Sequence, residues 1–161
     1  MANTQAMCTS FLGEILTATH NFGTAPVRAV TTPDVFKAAL YLQSATLNAS
    51  TTVYSSTGEV TGTNYSAGGV TITGSPAWNA PTATNSSTTA GTAFTTPTAS
   101  ITYTTVTLTT AFDTVFIYNS TQSNKAVSVH TFGSQTITAG TFTLTMPANT
   151  TAAALLRIAT T

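Results

Sequence analysis

The order of apolar and polar residues predicts a mainly β chain with one short helix near its N-terminus. The helix candidate is SFLGEILTATHNFG, residues 10–23. Its apolar residues recur at a spacing of four, in the pairs Phe11/Ile15 and Leu12/Leu16. About ten helical residues are too few to be stable alone, so we expect this element to dock on a sheet or on a neighbouring subunit.

After Pro33 the pattern changes to that of strands. The run 36–42, FKAALYL, is almost entirely apolar, which is typical of a strand covered on both faces, and TVFIY at 114–118 has the same character. Between residues 101 and 108 the alternation skips one position, which predicts a β-bulge near Thr104–Thr105. Further strand segments are expected at 59–60, 70–73, 126–132, 142–146 and 155–158, with a turn at 119–124.

Strands that recur this often, with turn signals between them, predict an antiparallel β-sandwich or jelly-roll-like domain. We expect residues 1–33 to form an N-terminal arm that carries the helix, and 34–161 to form a single β domain. A long Pro/Thr-rich loop, residues 76–98, interrupts that domain. Loops of this length are usually functional or disordered.

Two aromatic residues, Trp78 and Phe94, lie near the ends of this loop. Their rings are expected either to pack the loop onto the domain's own core or to anchor it in a partner, because aromatic residues dominate interface hot spots. The helix and the loop are therefore the candidate subunit contacts. The predicted interface residues are Phe11, Ile15, Leu16, Trp78 and Phe94.

Composition adds that the chain is polar through hydroxyl groups. Only 5% of its residues are charged, the net charge is zero, and threonine makes up about a quarter of the sequence. Because net charge keeps monomers apart, this composition predicts that the protein functions in an assembly and forms a homo-oligomer. Four scattered cations cannot neutralise the roughly 6–10 phosphates that nucleic-acid binders contact, so no nucleic-acid partner is expected. No apolar run is long enough to predict a membrane span.

Titratable groups are few, and no convergent set of them predicts an active site. The two histidines, His20 and His130, are expected to be structural, and no metal-ligand spacing or phosphate loop is present in the sequence. Cys8 is the only cysteine and is expected to be a small, partly buried thiol. We therefore predict no enzymatic activity, no catalytic residues, no metal and no cofactor.

Two binding functions remain as alternatives. Several Thr-x-Thr triplets resemble those of ice-binding proteins, but they follow no common period, and a regular array would need one. A carbohydrate-binding β-sandwich would stack sugars on aromatic rings such as Trp78, Tyr65 or Tyr54. Without a polar cluster beside them in the sequence, these rings are expected in the core or in an interface.

Several segments resemble a group of small virion proteins of tailed bacteriophages. They are FKAALYL, TTVYSSTGEVTGTNYSAGGVTIT, AFDTVFIYN and TFTLTMPAN, with LLRI near the end, and they span most of residues 34–158. The most specific piece is 59–70, which is similar to an EVSGTGYTAGG-like turn segment of that group. Asn64 stands where glycine is expected, and the loop 76–98 fits the pattern less well.

The resemblance implies a structural component of a virion, made in the host cytoplasm. Small β-rich proteins of this kind often decorate the head, where they bridge subunits of the major capsid protein and cement the shell. The motif alone does not separate this role from that of a neck, tail or fibre-base protein. A carbohydrate-binding β-sandwich used in adhesion to the host surface is the less favoured alternative. Decoration of the head surface is the first expectation.

Overall fold

The structure is a computed structural model, which describes residues 3–16, 18–22, 32–84 and 91–159, apart from the side chain of Leu16. These residues are mainly β, with 47% strand against 5% helix, so the predicted fold class of antiparallel sheets and one short helix is confirmed. The elements are β1 Ala6–Met7, α1 Thr9–Leu16, β2 Phe36–Leu42, β3 Val70–Thr71, β4 Thr82–Thr84, β5 Thr92–Thr95, β6 Ile101–Asn119, β7 Lys125–Leu144 and β8 Leu156–Ala159.

The chain divides into two compact units, each built from separate stretches of sequence. The first contains the described residues of Met1–His20, Asp34–Thr71 and Thr102–Thr143, and the second those of Asn21–Pro33, Ile72–Ile101 and Leu144–Thr161. The sequence-based division at residues 33 and 34 cuts the chain differently. In the structure the helix belongs to the first unit, where β1 pairs with Ser128 and Val129 of β7.

The first unit is organised around a five-stranded sheet in the order β1-β7-β6-β2-β3. Strand β2 has the bounds that its apolar run predicts, and it is largely buried between β6 and β3. It pairs antiparallel with the C-terminal part of β6, from Phe36 opposite Asn119 to Leu42 opposite Phe112. This central position requires apolar side chains on both faces, which explains why FKAALYL and TVFIY lack alternation.

Strands β6 and β7 form one long hairpin that bends back over itself. The rings of Phe132 and Phe142, ten residues apart on β7, lie 5.3 Å from each other, whereas an extended strand of that length would span about 33 Å. Both rings also contact Phe112, at 5.9 and 5.2 Å. We call residues 101–110 and 133–144, which lie far from the turn at 120–124, the distal half of the hairpin, and 111–119 and 125–132 the proximal half. The distal half therefore covers the proximal half, and aromatic rings fill the space between them.

A bulge contributes to this bend, as the skipped alternation predicts. Thr105 has φ of 53°, and Thr104 and Thr105 are both exposed between the buried residues Tyr103 and Val106. Two consecutive exposed residues between buried ones are typical of a bulged strand, which turns more sharply than a regular one. On β7, Ala139 also has a positive φ, 48°.

The segment 58–70 forms backbone hydrogen bonds with both β2 and the distal part of β6. Val60 donates a backbone hydrogen bond to Leu40 of β2, and Thr63 exchanges two backbone hydrogen bonds with Thr107 of β6. The turns within the segment use residues of positive φ, including Asn64 and Gly69. This segment is the one that carries the most specific part of the resemblance.

The second unit contains a three-stranded antiparallel sheet in the order β4-β5-β8. Strands β4 and β5 lie inside the predicted loop 76–98, so the described part of that segment is more ordered than its composition indicates. Its prolines stand outside the strands, although Pro97 forms an isolated β-bridge with Trp78, and apart from Phe94 the side chains of β4 and β5 are small or β-branched. Residues 85–90 of the predicted loop lie outside the described residues.

Helix α1 ends earlier than the expected stop signals at Asn21 and Gly23. Ala18 adopts φ of 51°, its N–H bonds to the carbonyl of Ile15, and the N–H of Thr19 bonds to the carbonyl of Glu14. This is the Schellman arrangement, here with alanine in the left-handed position that glycine usually occupies. The sequence signal is weak for that reason.

Candidate functional site

A buried carboxylate lies at the centre of the segment 58–70. Glu59 is 6% exposed and accepts three hydrogen bonds. They come from the hydroxyl of Tyr54 at 2.6 Å, the hydroxyl of Tyr65 at 2.7 Å and the backbone N–H of Gly68 at 2.8 Å. Hydrogen bonds to a charged acceptor are strong enough to offset much of the cost of burying it.

Further tyrosines extend this network to the strands around it. Tyr65 also accepts a hydrogen bond from the backbone N–H of Leu40, while the hydroxyls of Tyr103 and Tyr118 donate to the carbonyls of Ala38 and Gly68. Burial, and then the nearby charge of Glu59, raises the pKa of Tyr118 to about 12. The same two causes act on Tyr103 and raise its pKa. These hydroxyls therefore remain protonated donors throughout the physiological range.

A second polar network connects helix α1 to the hairpin turn of β6 and β7. His20 Nε2 lies 2.7 Å from Glu14 Oε2, and its Nδ1 lies 2.9 Å from Nδ2 of Asn119. The carbonyl oxygen of the Asn119 side chain accepts from the backbone N–H groups of Thr121 and Gln122, which identifies Nδ2 as the donor to His20. The imidazole therefore carries its proton on Nε2 and donates it to Glu14.

Electrostatics in this network favour a neutral histidine beside an ionised glutamate. Burial lowers the pKa of His20, and the hydrogen bond to Glu14 only partly offsets that effect. Burial opposes ionisation of Glu14, but hydrogen bonds from Lys125 and His20 outweigh it and lower its pKa. Lys125 bonds the other carboxylate oxygen, so one glutamate links residues more than a hundred positions apart.

This arrangement holds helix α1 to the hairpin turn of β6 and β7. The side chain of His20 is fully buried, and its ring packs 4.9 Å from that of Phe11. Burial, and then the charge of Glu14, raises the pKa of Cys8 to about 11, so its buried thiol is not a nucleophile at neutral pH. Within the described residues, no group of three or more His, Cys, Asp or Glu could hold a metal ion.

The structure places several predicted interface residues inside the chain. Phe11, Trp78 and Phe94 are 1%, 2% and 8% exposed, and the edge of Phe22 packs against Trp78 at 4.9 Å. For Trp78 and Phe94 this favours the first of the two expectations, in which the rings are packed within the domain. Ile15 is partly exposed, and the side chain of Leu16 lies outside the described residues. Their contact with a partner stays a prediction.

The rings named for sugar stacking are already engaged within the chain. Tyr54 stacks on Tyr118 at 4.7 Å, Tyr65 stacks on Tyr103 at 5.9 Å, and both hydroxyls donate to Glu59. A sugar would require a free ring face and polar groups beside it. Each of these two tyrosines has one face occupied, and Trp78 is buried.

An exposed polar surface lies on the distal half of the β6–β7 hairpin. Its exposed residues are mainly threonines, and one pair, Thr102 and Thr143, brings its hydroxyl oxygens to 3.4 Å across the two strands. No Lys, Arg, Asp or Glu occurs from residue 126 to 156. This surface can bind a partner through hydroxyl groups and backbone without desolvating charges.

Comparisons of the chain with known protein families, with curated proteins and with solved structures found no match. In the part of the chain that the structure describes, no helix is long and apolar enough to cross a membrane.

Sequence reasoning missed the two polar networks. It treated Glu59 only as a member of a strand-forming segment and His20 only as a structural residue, without the bonds of its ring to Glu14 and Asn119. The one available signal was the scarcity of charge. In a chain with four carboxylates, one such as Glu59 inside an uncharged strand region is a good candidate for a buried, hydrogen-bonded group.

Proposed function

We propose that this protein is a structural component of a bacteriophage virion that decorates the head. The observation that carries the proposal is the long hairpin of the first unit, whose distal half exposes a hydroxyl-rich surface without charged residues. The titratable groups in the two networks serve to fix the fold. Such a rigid domain with a neutral polar surface is suited to a permanent contact in an assembly.

The resemblance supports the same proposal through the segment 59–70. In this fold the segment binds both β2 and the distal part of β6, so its glycines and its glutamate have structural reasons to be present. A similar segment in small virion proteins would indicate the same scaffold. The contacts with the major capsid protein would then come from exposed surface elsewhere.

The proposed mechanism is stabilisation by mass action. A decoration protein that binds the assembled shell and not its free subunits stabilises the shell in proportion to the logarithm of its free concentration. A contact that buries about 1,000 Å² or more with adjacent capsid subunits would meet the threshold for a specific interface. Repeated over many copies, this binding would hold a DNA-filled head against its internal pressure.

Removing the protein from the virion tests this proposal. Heads produced without it should assemble but release their DNA at a lower temperature, and adding the purified chain should restore the original release temperature. Chain unfolded by heat before addition is the control and should restore nothing. Heads that retain their DNA equally well without the protein, while tails or adsorption fail, would contradict decoration.

A further inference from the structure

Among the described residues, no strand pairs with one edge of the five-stranded sheet along most of its length. On that side of β7, strand β1 pairs with Ser128 and Val129, and Val53 forms an isolated bridge with Lys125. The part of β7 that extends beyond β1, Gly133–Thr143, is called the distal edge here. Backbone N–H and C=O groups on its outer side are available to pair with another strand.

The distal edge lacks the features that usually keep edge strands from pairing. Such edges carry lysine, proline or inward-pointing charges. Here residues 133–136 are all exposed, and the edge contains neither a proline nor a charged residue. Ala139, where φ is 48°, departs from strand geometry, so Gly133–Thr138 is the longest regular stretch of the distal edge.

We propose that two copies of this chain pair through their distal edges, as antiparallel strands related by a two-fold axis. A neutral strand favours a neutral partner, and antiparallel pairing of one strand with its own copy opposes Ser, Thr and Gln side chains without charge repulsion. Because β3, at the other side of the sheet, has only two residues, each copy offers one long edge and the assembly closes at two.

The expected strength of the pair follows from its size. The distal edge contributes eleven residues from each copy, about half of the 20–30 residues a side in a standard interface. We therefore expect a reversible dimer with a dissociation constant in the micromolar range. This inference stands apart from the virion proposal, since the edge would pair in solution whatever the protein binds.

Sedimentation velocity on the purified full-length chain, between about 1 and 200 µM, measures the pairing directly. The variant Thr136→Lys/Thr138→Lys brings like charges together across the axis and should weaken the dimer at least about tenfold. The matched control, Thr104→Lys/Thr109→Lys, adds the same charge at exposed positions on the inner neighbour β6 and should change it less than about twofold. A chain that stays monomeric throughout, or a dimer unaffected by the β7 variant, would overturn the proposal.

Disulfide cross-linking tests the same pairing without depending on the stability of the lysine variants. Gln135→Cys and Thr136→Cys lie at the centre of the regular stretch, where paired Cα atoms are close enough for a disulfide. Cys8 is fully buried and will not compete. At least one variant should oxidise to a dimer, and Thr109→Cys on β6 should not. Cross-linking through Thr109→Cys alone would place the contact elsewhere and contradict the proposal.

Discussion

At the scale of single residues, the first unit depends on a few polar contacts that the sequence pattern does not predict. Glu59 is the clearest case, since three donors from three different positions converge on its carboxylate. Two of these donors are tyrosine hydroxyls, at Tyr54 and Tyr65, that would lose their acceptor if the glutamate were removed. Each lost partner leaves a desolvated polar group, and this cost exceeds the loss of one ordinary hydrogen bond.

Replacing Glu59 should therefore destabilise the protein more than any exposed substitution nearby. Glu59→Ala is expected to lower the free energy of unfolding by about 3 kcal/mol, because three hydrogen bonds to a charged group are lost. Glu59→Gln should cost less, since the amide oxygen can still accept from Tyr65 and Gly68. Urea unfolding measures both, with exposed Thr61→Ala as the control. Equal effects of Glu59→Ala and Thr61→Ala would show that the network contributes little.

Gly69 makes a different demand, for space beside the backbone. A Cβ at this position would lie 1.8 Å from the carbonyl oxygen of Ala38, and the residue has φ of 69°. Gly69→Ala must therefore move β2 or the turn, and we expect a loss of about 3 kcal/mol or failure to fold. Gly133→Ala is the matched control, because a Cβ there meets nothing within 4 Å. Soluble yield and urea midpoints compare the two, and a stable Gly69→Ala variant would refute this geometry.

At the scale of elements, apolar patterning predicts the buried strands well and the exposed ones poorly. β2 has the bounds that FKAALYL predicts, because a strand covered on both faces must be apolar throughout. By contrast, the sequence divides β7 at Gly133, although the strand continues to Leu144. Backbone pairing with β6 maintains the strand through residues 133–141, which are mostly exposed and show no apolar alternation.

The bend of the hairpin could not be predicted from sequence for a related reason. The bulge near Thr105 is visible as a skipped position, but the contact between Phe132 and Phe142 depends on how the whole strand curves. The same limit applies to the second polar network, since Lys125 bonds to Glu14, and Asn119 to His20, from distant segments. Pairings of this kind are long-range and leave no local pattern.

Phe142 should be the main side chain that holds the bent hairpin closed. Its ring contacts those of Phe112, Phe132 and Tyr103, while remaining partly exposed. Phe142→Ala should cost about 2 kcal/mol, less than the 3–5 kcal/mol typical of a fully buried phenylalanine. Phe142→Leu, which keeps most of the apolar volume, serves as control and should cost less than half as much. Urea unfolding measures both variants. An unchanged free energy of unfolding for Phe142→Ala would contradict the folded-back arrangement.

At the scale of the whole molecule, stability should fall in mild acid because burial, complete for the His20 side chain and partial for His130, favours the neutral form of both histidines. Burial lowers the pKa of His130 from 6.5 to about 4 and also lowers that of His20. Between those two values the unfolded chain binds a proton that the folded chain does not, so acid favours unfolding. Stability is complete above about pH 6.5 and decreases as the pH falls toward 4.

The variant His130→Gln isolates one part of this effect. The full pKa shift would correspond to about 3 kcal/mol, and we expect on the order of 1–2 kcal/mol because the residue keeps some contact with solvent. Urea unfolding at pH 7 and pH 4.5 should therefore show a smaller difference for the variant than for the unaltered protein. An identical pH dependence in both would assign the acid sensitivity to other groups.

The uncharged surface is also a property of the whole molecule. Composition indicates an assembly through the scarcity of charge, and the structure adds where exposed, uncharged surface is concentrated, on the distal half of the β6–β7 hairpin. Neither the composition nor the fold specifies a partner, because neutral hydroxyl-rich surfaces have no distinctive chemical complement. An experiment on the proposed virion is therefore needed to identify the partner.

Cryo-electron microscopy of the intact virion proposed to carry this protein tests the central proposal most directly. Decoration predicts density for the first unit, with its bent hairpin, at many symmetry-related positions over the head surface and in contact with the major capsid protein. Copies confined to one vertex or to the tail would contradict decoration and assign the protein to neck or tail assembly. A virion without the protein would contradict the structural role altogether.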